Sequence, residues 1–221
     1  MTWLKVAAAF GCFLTLFAGL QAYARRSGAR AETTRKLFHT GSGALTLAFP
    51  FLFDDAWPVL LLTGGSALTV GAVKYVRPLR DRLGLVTNRI DRPTFGAGYF
   101  PAAIAMLFCL ARPAPLLFIV PVLVLTFADT ASAIVGGRYG TRRYLDGKSM
   151  EGSAAFCGVA FACVYVPLIA GGSIGVSAAV LCAAAVAAAT TILEACAWRG
   201  LDNLSVPLGA FLVLRWMLPS S

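Results

Sequence analysis

The sequence predicts an all-α fold, a polytopic transmembrane helix bundle of about eight spans forming one integral membrane domain over residues 1–221. Three observations carry that reading. Hydrophobic residues make up 58% of the chain and charged residues 13%, roughly half the ~25% charge of a soluble domain. The apolar stretches are continuous rather than alternating, which suits helices and not the strands of a barrel. The charges that remain collect in a few connecting segments, and their sign follows the positive-inside pattern.

The elements follow in order. Residues 3–23 imitate a cleavable leader, with Lys5, an apolar stretch and Ala22-Tyr23-Ala24. Cleavage would leave the basic segment 25–36 on the wrong side, so the stretch reads as the first span. Further spans are expected at 37–53, 57–73, 95–111, 115–135, 152–170, 174–197 and 204–218. Several are short for a hydrocarbon core of about 30 Å, which calls for tilt, breaks or partial insertion. The connections after spans one, three and five carry Arg25, Arg26, Arg30, Arg35 and Lys36; Lys74, Arg77, Arg80, Arg82, Arg89 and Arg92; and Arg138, Arg142, Arg143 and Lys148. Arg199 follows span seven, and the opposite connections, Asp54-Asp55-Ala56 and Gly171-Gly172-Ser173, have no basic residue. Thus 16 of the 19 basic residues fall on one side, which places that side in the cytoplasm and both termini outside.

Composition also removes function classes. A net charge of +9 invites nucleic acid, but no basic helix or aromatic-interleaved strand stands apart from the spans, and flanking cations serve orientation and anionic head groups. Cys12, Cys109, Cys157, Cys163, Cys182 and Cys196 all lie in apolar runs without a C-x-x-C pair, so they read as small buried residues. A single histidine, His39, leaves no histidine-based metal set or catalytic triad. The sequence carries no sign of its oligomeric state.

Polar residues in or beside apolar spans are costly and mark function. Asp129 lies in such a span, and Asp129, Ser132, Gly136 and Gly140, spaced by three and four, share a helical face. A carboxylate followed by small residues makes a groove that a phosphate can approach, although Gly136-x-x-x-Gly140 equally serves helix packing. Gly147-Lys148-Ser149-Met150-Glu151-Gly152-Ser153 opens the next span, where backbone N–H groups suit an anion with its metal and where Ser149 and Glu151 also suit helix capping. Gly147-Lys148-Ser149 resembles the tail of a P-loop, but Arg142 stands where the upstream glycine belongs. Glu194 ends span seven, ahead of Asp202-Asn203, and Arg35 and His39 lie one turn apart at the start of span two. All four clusters fall on the cytoplasmic side of this topology. Carboxylates and cations gathered at a membrane face describe phosphoryl or nucleotidyl transfer to a lipid, with a metal neutralising phosphate.

At these residues the sequence resembles the membrane-embedded polyprenol kinase group, which includes phytol, farnesol and dolichol kinases and a CTP-dependent diacylglycerol kinase. Arg35, Lys36 and His39 match its Arg-Lys-x-x-His segment. Asp129, Ser132, Gly136 and Gly140 match a second segment, Lys148, Ser149, Glu151, Gly152 and Ser153 a third, and Glu194, Asp202 and Asn203 a late acidic and Asp-Asn pattern. The chain departs from the group at Ala128, where glycine often precedes the central aspartate, and at 91–99, differences that bear on the alcohol more than on the chemistry. The resemblance implies transfer of the γ-phosphate of a nucleoside triphosphate, commonly CTP, to a lipid hydroxyl. It implies catalytic roles for Asp129, Lys148, Glu151, Glu194, Asp202 and Asn203, and Mg²⁺ (or Mn²⁺) on Asp129 with Glu151, Glu194 or Asp202. Arg35, Lys36, His39, Ser132, Gly136, Gly140, Ser149, Gly152 and Ser153 would contact nucleotide or phosphate. The alternative is a CTP-dependent phosphatidate cytidylyltransferase-type enzyme making a CDP-lipid, whose Lys-Asp and His-Gly-Gly signature is missing here. A transporter would place charges at mid-membrane and show related halves, and neither is evident.

Overall fold

The computed structural model describes residues 1–29, 31–83, 96–112, 114–172 and 174–218, so Arg30, Arg89, Arg92 and the start of the expected span at 95 lie outside the described residues. Among the described residues every long element is a helix and no strand forms. Five helices are long and apolar enough to cross a membrane: Thr2–Ser27, Ala56–Tyr75, Pro115–Tyr139, Met150–Ala170 and Val176–Cys196. The remaining expected spans correspond to shorter helices, and one of them is broken. Helix α1 (Thr2–Ser27) precedes α2 (Ala31–Thr46) and the short α3 (Phe49–Leu52). The stretch read as one span at 37–53 is therefore two helices parted by a turn at Leu47-Ala48, where Pro50 starts α3 in the first turn that tolerates its missing N–H. Next come α4 (Ala56–Tyr75), α5 (Arg77–Leu83), α6 (Gly96–Leu110) and α7 (Pro115–Leu123). Arg77-Pro78-Leu79-Arg80, expected to be only a connection, belongs to the helical turns of α5.

Helix α7 continues through a widened π-helical turn, Val124–Ala128, directly into α8 (Asp129–Tyr139). Pro121 removes one backbone donor just upstream, and a π turn in a helix often accompanies a functional position. A tight reversal carries α8 into α9 (Met150–Ala170). Tyr144 N–H donates to Lys148 O at 2.8 Å and Met150 N–H to Arg142 O at 3.0 Å. Gly147 sits at φ +80, a conformation glycine adopts without steric cost. Ser149 then caps α9, its Oγ accepting from Gly152 N–H at 3.1 Å. The chain closes with α10 (Val176–Cys196) and α11 (Asp202–Met217).

The core runs along α7, α9, α10 and α11. Phe156, Ala160, Val164 and Leu168 form a buried stripe on α9 at fourfold spacing, facing Ala179, Ala183, Val186 and Ala187 of α10. Lipid supplies no hydrophobic drive between helices, so α10 uses alanines to bring its backbone close to its neighbours. Helix α1 is mostly exposed, touching α2 and α4 and leaving a space behind it. That space positions the site.

Candidate active site

A cavity of about 880 Å³ lies among α1, α2, α3, α4 and α6 and reaches Asp129 and the α10–α11 connection. Its walls differ along its length. Phe10, Phe13, Phe38, Phe49, Phe100 and Ile104 supply an apolar body, and Lys5 lines the far end, where its Nζ donates to Leu52 O at 2.9 Å. Arg35, Lys36, His39, Asp129, Asp202 and Asn203 supply a charged head.

At the head, Asp129 starts α8 immediately after the π turn and meets α2. Lys36 Nζ stands 2.6 Å from Asp129 Oδ2, with the two side chains 12% and 14% exposed. His39 Nε2 lies 3.5 Å from the same carboxylate oxygen and 3.2 Å from Leu125 O. Both neighbours are acceptors, so Nε2 carries the ring proton and Leu125 O in the widened turn fixes the ring. Phe100 packs edge-on against the imidazole at 5.0 Å between centroids. One turn on, Thr40 Oγ1 and Thr130 Oγ1 are 2.8 Å apart, joining the same two helices.

A second ionic group lies beside the first. Lys148 Nζ is 2.8 Å from Glu194 Oε1 and also donates to the Glu194 carbonyl, while Ser153 Oγ donates to Glu194 Oε2 at 3.4 Å and meets the Tyr144 hydroxyl. Glu194 is only 5% exposed, and its pairing with Lys148 supplies the cation that a carboxylate in an apolar helix needs. Asp202 ties the two groups together. It lines the cavity, feels the charges of Asp129, Lys36 and Lys148, and accepts from Asn203 N–H at 3.0 Å. Gly200, at φ +87, makes the turn that brings Asp202 there.

The other expected residues are placed differently. Glu151 turns to the α8–α9 reversal, accepting from Thr141 Oγ1 and, at 3.4 Å, from Arg142 N–H. The stripe Ser132, Gly136 and Gly140 is filled by α9: a Cβ on Gly136 would lie 2.9 Å from Ser149 Oγ, and one on Gly152 would lie 3.0 Å from Ser132 O and 3.3 Å from Gly136 Cα. Gly136, Gly140, Ser149 and Gly152 thus seat two helices in close contact and do not line the cavity. Nor do Asp129, Glu151, Glu194 and Asp202 gather around one point; among the described residues no three His, Cys, Asp or Glu side chains form a metal-ligand group. Glu151 and Glu194 do not line the cavity, whereas Asp129, paired with Lys36 through Oδ2, and Asp202 stand on its wall. Two carboxylates fit Mg²⁺, which keeps several waters and takes the rest of its shell from substrate phosphates. The apolar body of the cavity escapes sequence reading, because its aromatics are scattered over four helices.

A phytol kinase of Synechocystis sp. is 32% identical to this chain over 197 residues, covering 86% of this chain and 81% of its own. The chain belongs to the membrane-embedded polyprenol and phytol kinase group. No family model matches this group member, and no solved structure gives a significant match.

Proposed function

We propose that this chain transfers the γ-phosphate of CTP, or of another nucleoside triphosphate, to the hydroxyl of a polyprenol- or phytol-type membrane alcohol, with Mg²⁺ (or Mn²⁺), at the cytoplasmic face. One observation carries the reading: a single cavity joins a charged head of Lys36, His39, Asp129 and Asp202 to a long apolar body. A soluble substrate has no use for such a body, and a simple lipid pocket has no use for such a head. The named activity of the Synechocystis relative supports an isoprenoid alcohol as acceptor.

The chemistry assigns work to particular side chains. The acceptor oxygen forms a bond to the γ-phosphorus, the bond from that phosphorus to the β-bridging oxygen breaks, and the hydroxyl proton passes to solvent water as the nucleoside diphosphate leaves. Arg35 and Lys36, both on the cavity wall, bind phosphate oxygens. His39, pinned by Leu125 O, holds the Asp129 carboxylate in orientation. Asp129 and Asp202 would hold the metal, which when bound neutralises charge on the transferred phosphoryl group. Lys148, Glu194 and Ser153 set the position of the α9 start and of the α10 end beside Asp202 rather than touching substrate.

The test incubates purified protein with γ-labelled CTP or ATP and a panel of phytol, farnesol, geranylgeraniol, undecaprenol and diacylglycerol. Label in an isoprenoid lipid is the expected result. Release of pyrophosphate with a CDP-lipid overturns the kinase reading in favour of a cytidylyltransferase.

A further inference from the structure

The cavity has a direction and a length. Helix α4 lines it with Leu62, Ser66, Val70 and Lys74, one residue at every fourth position. At the helical rise per residue this stripe runs about 18 Å from Leu62 to Lys74. Helix α4 leads on into α5, where Arg82 O accepts from Arg25 at the end of α1, next to the start of α2. Lys74 therefore belongs to the charged end with Arg35 and Asp129. Leu62 lies toward the opposite end, where the first turns of α1 bring Leu4 and Lys5 to the wall.

Among the described wall residues, Lys5 is the one charged group at that far end. Its Nζ donates to Leu52 O at 2.9 Å. Leu52 is the last residue of α3, a helix of four residues, and terminal carbonyls have no partner within their own helix. Lys5 supplies one. The exposed Asp54 and Asp55 follow directly beyond Leu52. A hydrocarbon chain running past this point would have to cover the ammonium and the carbonyl or force them apart. Either way polar groups lose solvation without a replacement partner.

An extended carbon chain advances about 1.2 Å per bond, so the stripe on α4 accommodates about fifteen bonds. Each isoprene unit adds four main-chain atoms, so four units fill that length. We propose that the cavity gauges the length of the acceptor alcohol, with the Lys5–Leu52 contact as its end stop. With the hydroxyl at the Asp129 head, four isoprene units cover the apolar wall. Three units leave wall uncovered, and a fifth meets the Lys5 ammonium. Lys5 is thus a specificity-determining residue at the end of the chain remote from the chemistry. The choice of ligand rests on the kinase reading above.

The experiment measures binding of radiolabelled geranylgeraniol to purified protein in detergent, with competition by unlabelled farnesol, geranylgeraniol or geranylfarnesol, of three, four and five units. Wild type and variants share one detergent, so partition into micelles cancels when their competition ratios are compared. The wild type is expected to prefer geranylgeraniol over geranylfarnesol about tenfold, the range of one stranded polar group. Lys5→Met keeps an apolar stem without the ammonium and should erase that preference. Ala8, also on the wall and one turn inward from Lys5, gives the opposite change. Ala8→Phe shortens the gauge and should move the preference from geranylgeraniol to farnesol. A folded Lys5→Met protein that keeps the wild-type ratio overturns the proposal. If Lys5→Met does not fold, an Ala8→Phe protein that keeps the wild-type order overturns it. So does a wild type that binds four and five units equally, because the extra unit then leaves the cavity sideways. Absence of lipid phosphorylation by a wild type that still prefers geranylgeraniol overturns the kinase reading alone.

Discussion

Asp129 Oδ2 is shared by a lysine at 2.6 Å and a histidine N–H at 3.5 Å, both from α2. Asp129→Asn keeps the size and an oxygen that accepts from Lys36, but removes the charge that would hold a metal beside phosphate. Turnover should fall by roughly 10²-fold or more while the unfolding temperature changes little, read by labelled-lipid formation alongside a melt. Poor folding with near-normal specific activity would make Asp129 a structural ion pair instead. Lys148 and Glu194 call for the opposite balance. Lys148→Met strands a carboxylate that is 5% exposed, so stability should drop by about 3–5 kcal/mol. The double variant Lys148→Met/Glu194→Gln should recover most of that loss in the same denaturation experiment. Asp129, Lys148 and Glu194 were all legible in the sequence, because ionisable groups in or beside apolar segments announce themselves. Their partners were not. The Lys148–Glu194 pair spans 46 positions, and nothing in the spacing says which carboxylate a lysine meets.

Helices α8 and α9 approach through glycine. A Cβ on Gly152 would come within 3.0 Å of Ser132 O and 3.3 Å of Gly136 Cα, both of which are backbone atoms that cannot swing aside. Gly152→Ala should therefore destabilise the protein by about 1–3 kcal/mol. Gly158→Ala is the control on the same helix. Apart from its own stretch of helix, nothing among the described residues lies within 4 Å of its added Cβ, so the variant should be neutral or up to about 1 kcal/mol more stable from helix propensity. Thermal unfolding of both variants in one detergent reads the difference, and equal melts would mean that α8 and α9 are not held at this distance. The small-residue stripe was visible in the sequence as two readings, an open phosphate groove or a packing face, and periodicity supports both equally. The long apolar helices were legible from hydropathy within a few residues of their ends. The π turn before Asp129 and the break at Leu47-Ala48 were not, since both come from how neighbouring helices meet rather than from local composition.

At the scale of the molecule, the charged head and the basic connections lie toward one end. Arg25 donates to Arg82 O, joining the end of α1 to α5, while Arg35, Lys74, Asp129 and Asp202 all line the cavity. Lys5 and Leu52 lie at the other end of the same cavity, next to the turn that carries Asp54 and Asp55. The positive-inside rule assigns the first end to the cytoplasm, where nucleotide is available. Single cysteines at Asp55 and at Arg142 test that assignment in cells, in a background where the exposed Cys12, Cys109 and Cys196 are replaced by alanine. Asp55 and Arg142 are both exposed, so each cysteine should be reachable from its own compartment. A membrane-impermeant maleimide added to intact cells should label the Asp55→Cys protein, and the Arg142→Cys protein only after permeabilisation. Labelling of both from outside would put the head and the acidic turn on one side and refute the alternation of spans. The reverse pattern would keep the helix bundle but turn it over, leaving the head facing away from the cytoplasm, and the kinase reading would then fail for want of the phosphoryl donor it requires, even with every side chain in place.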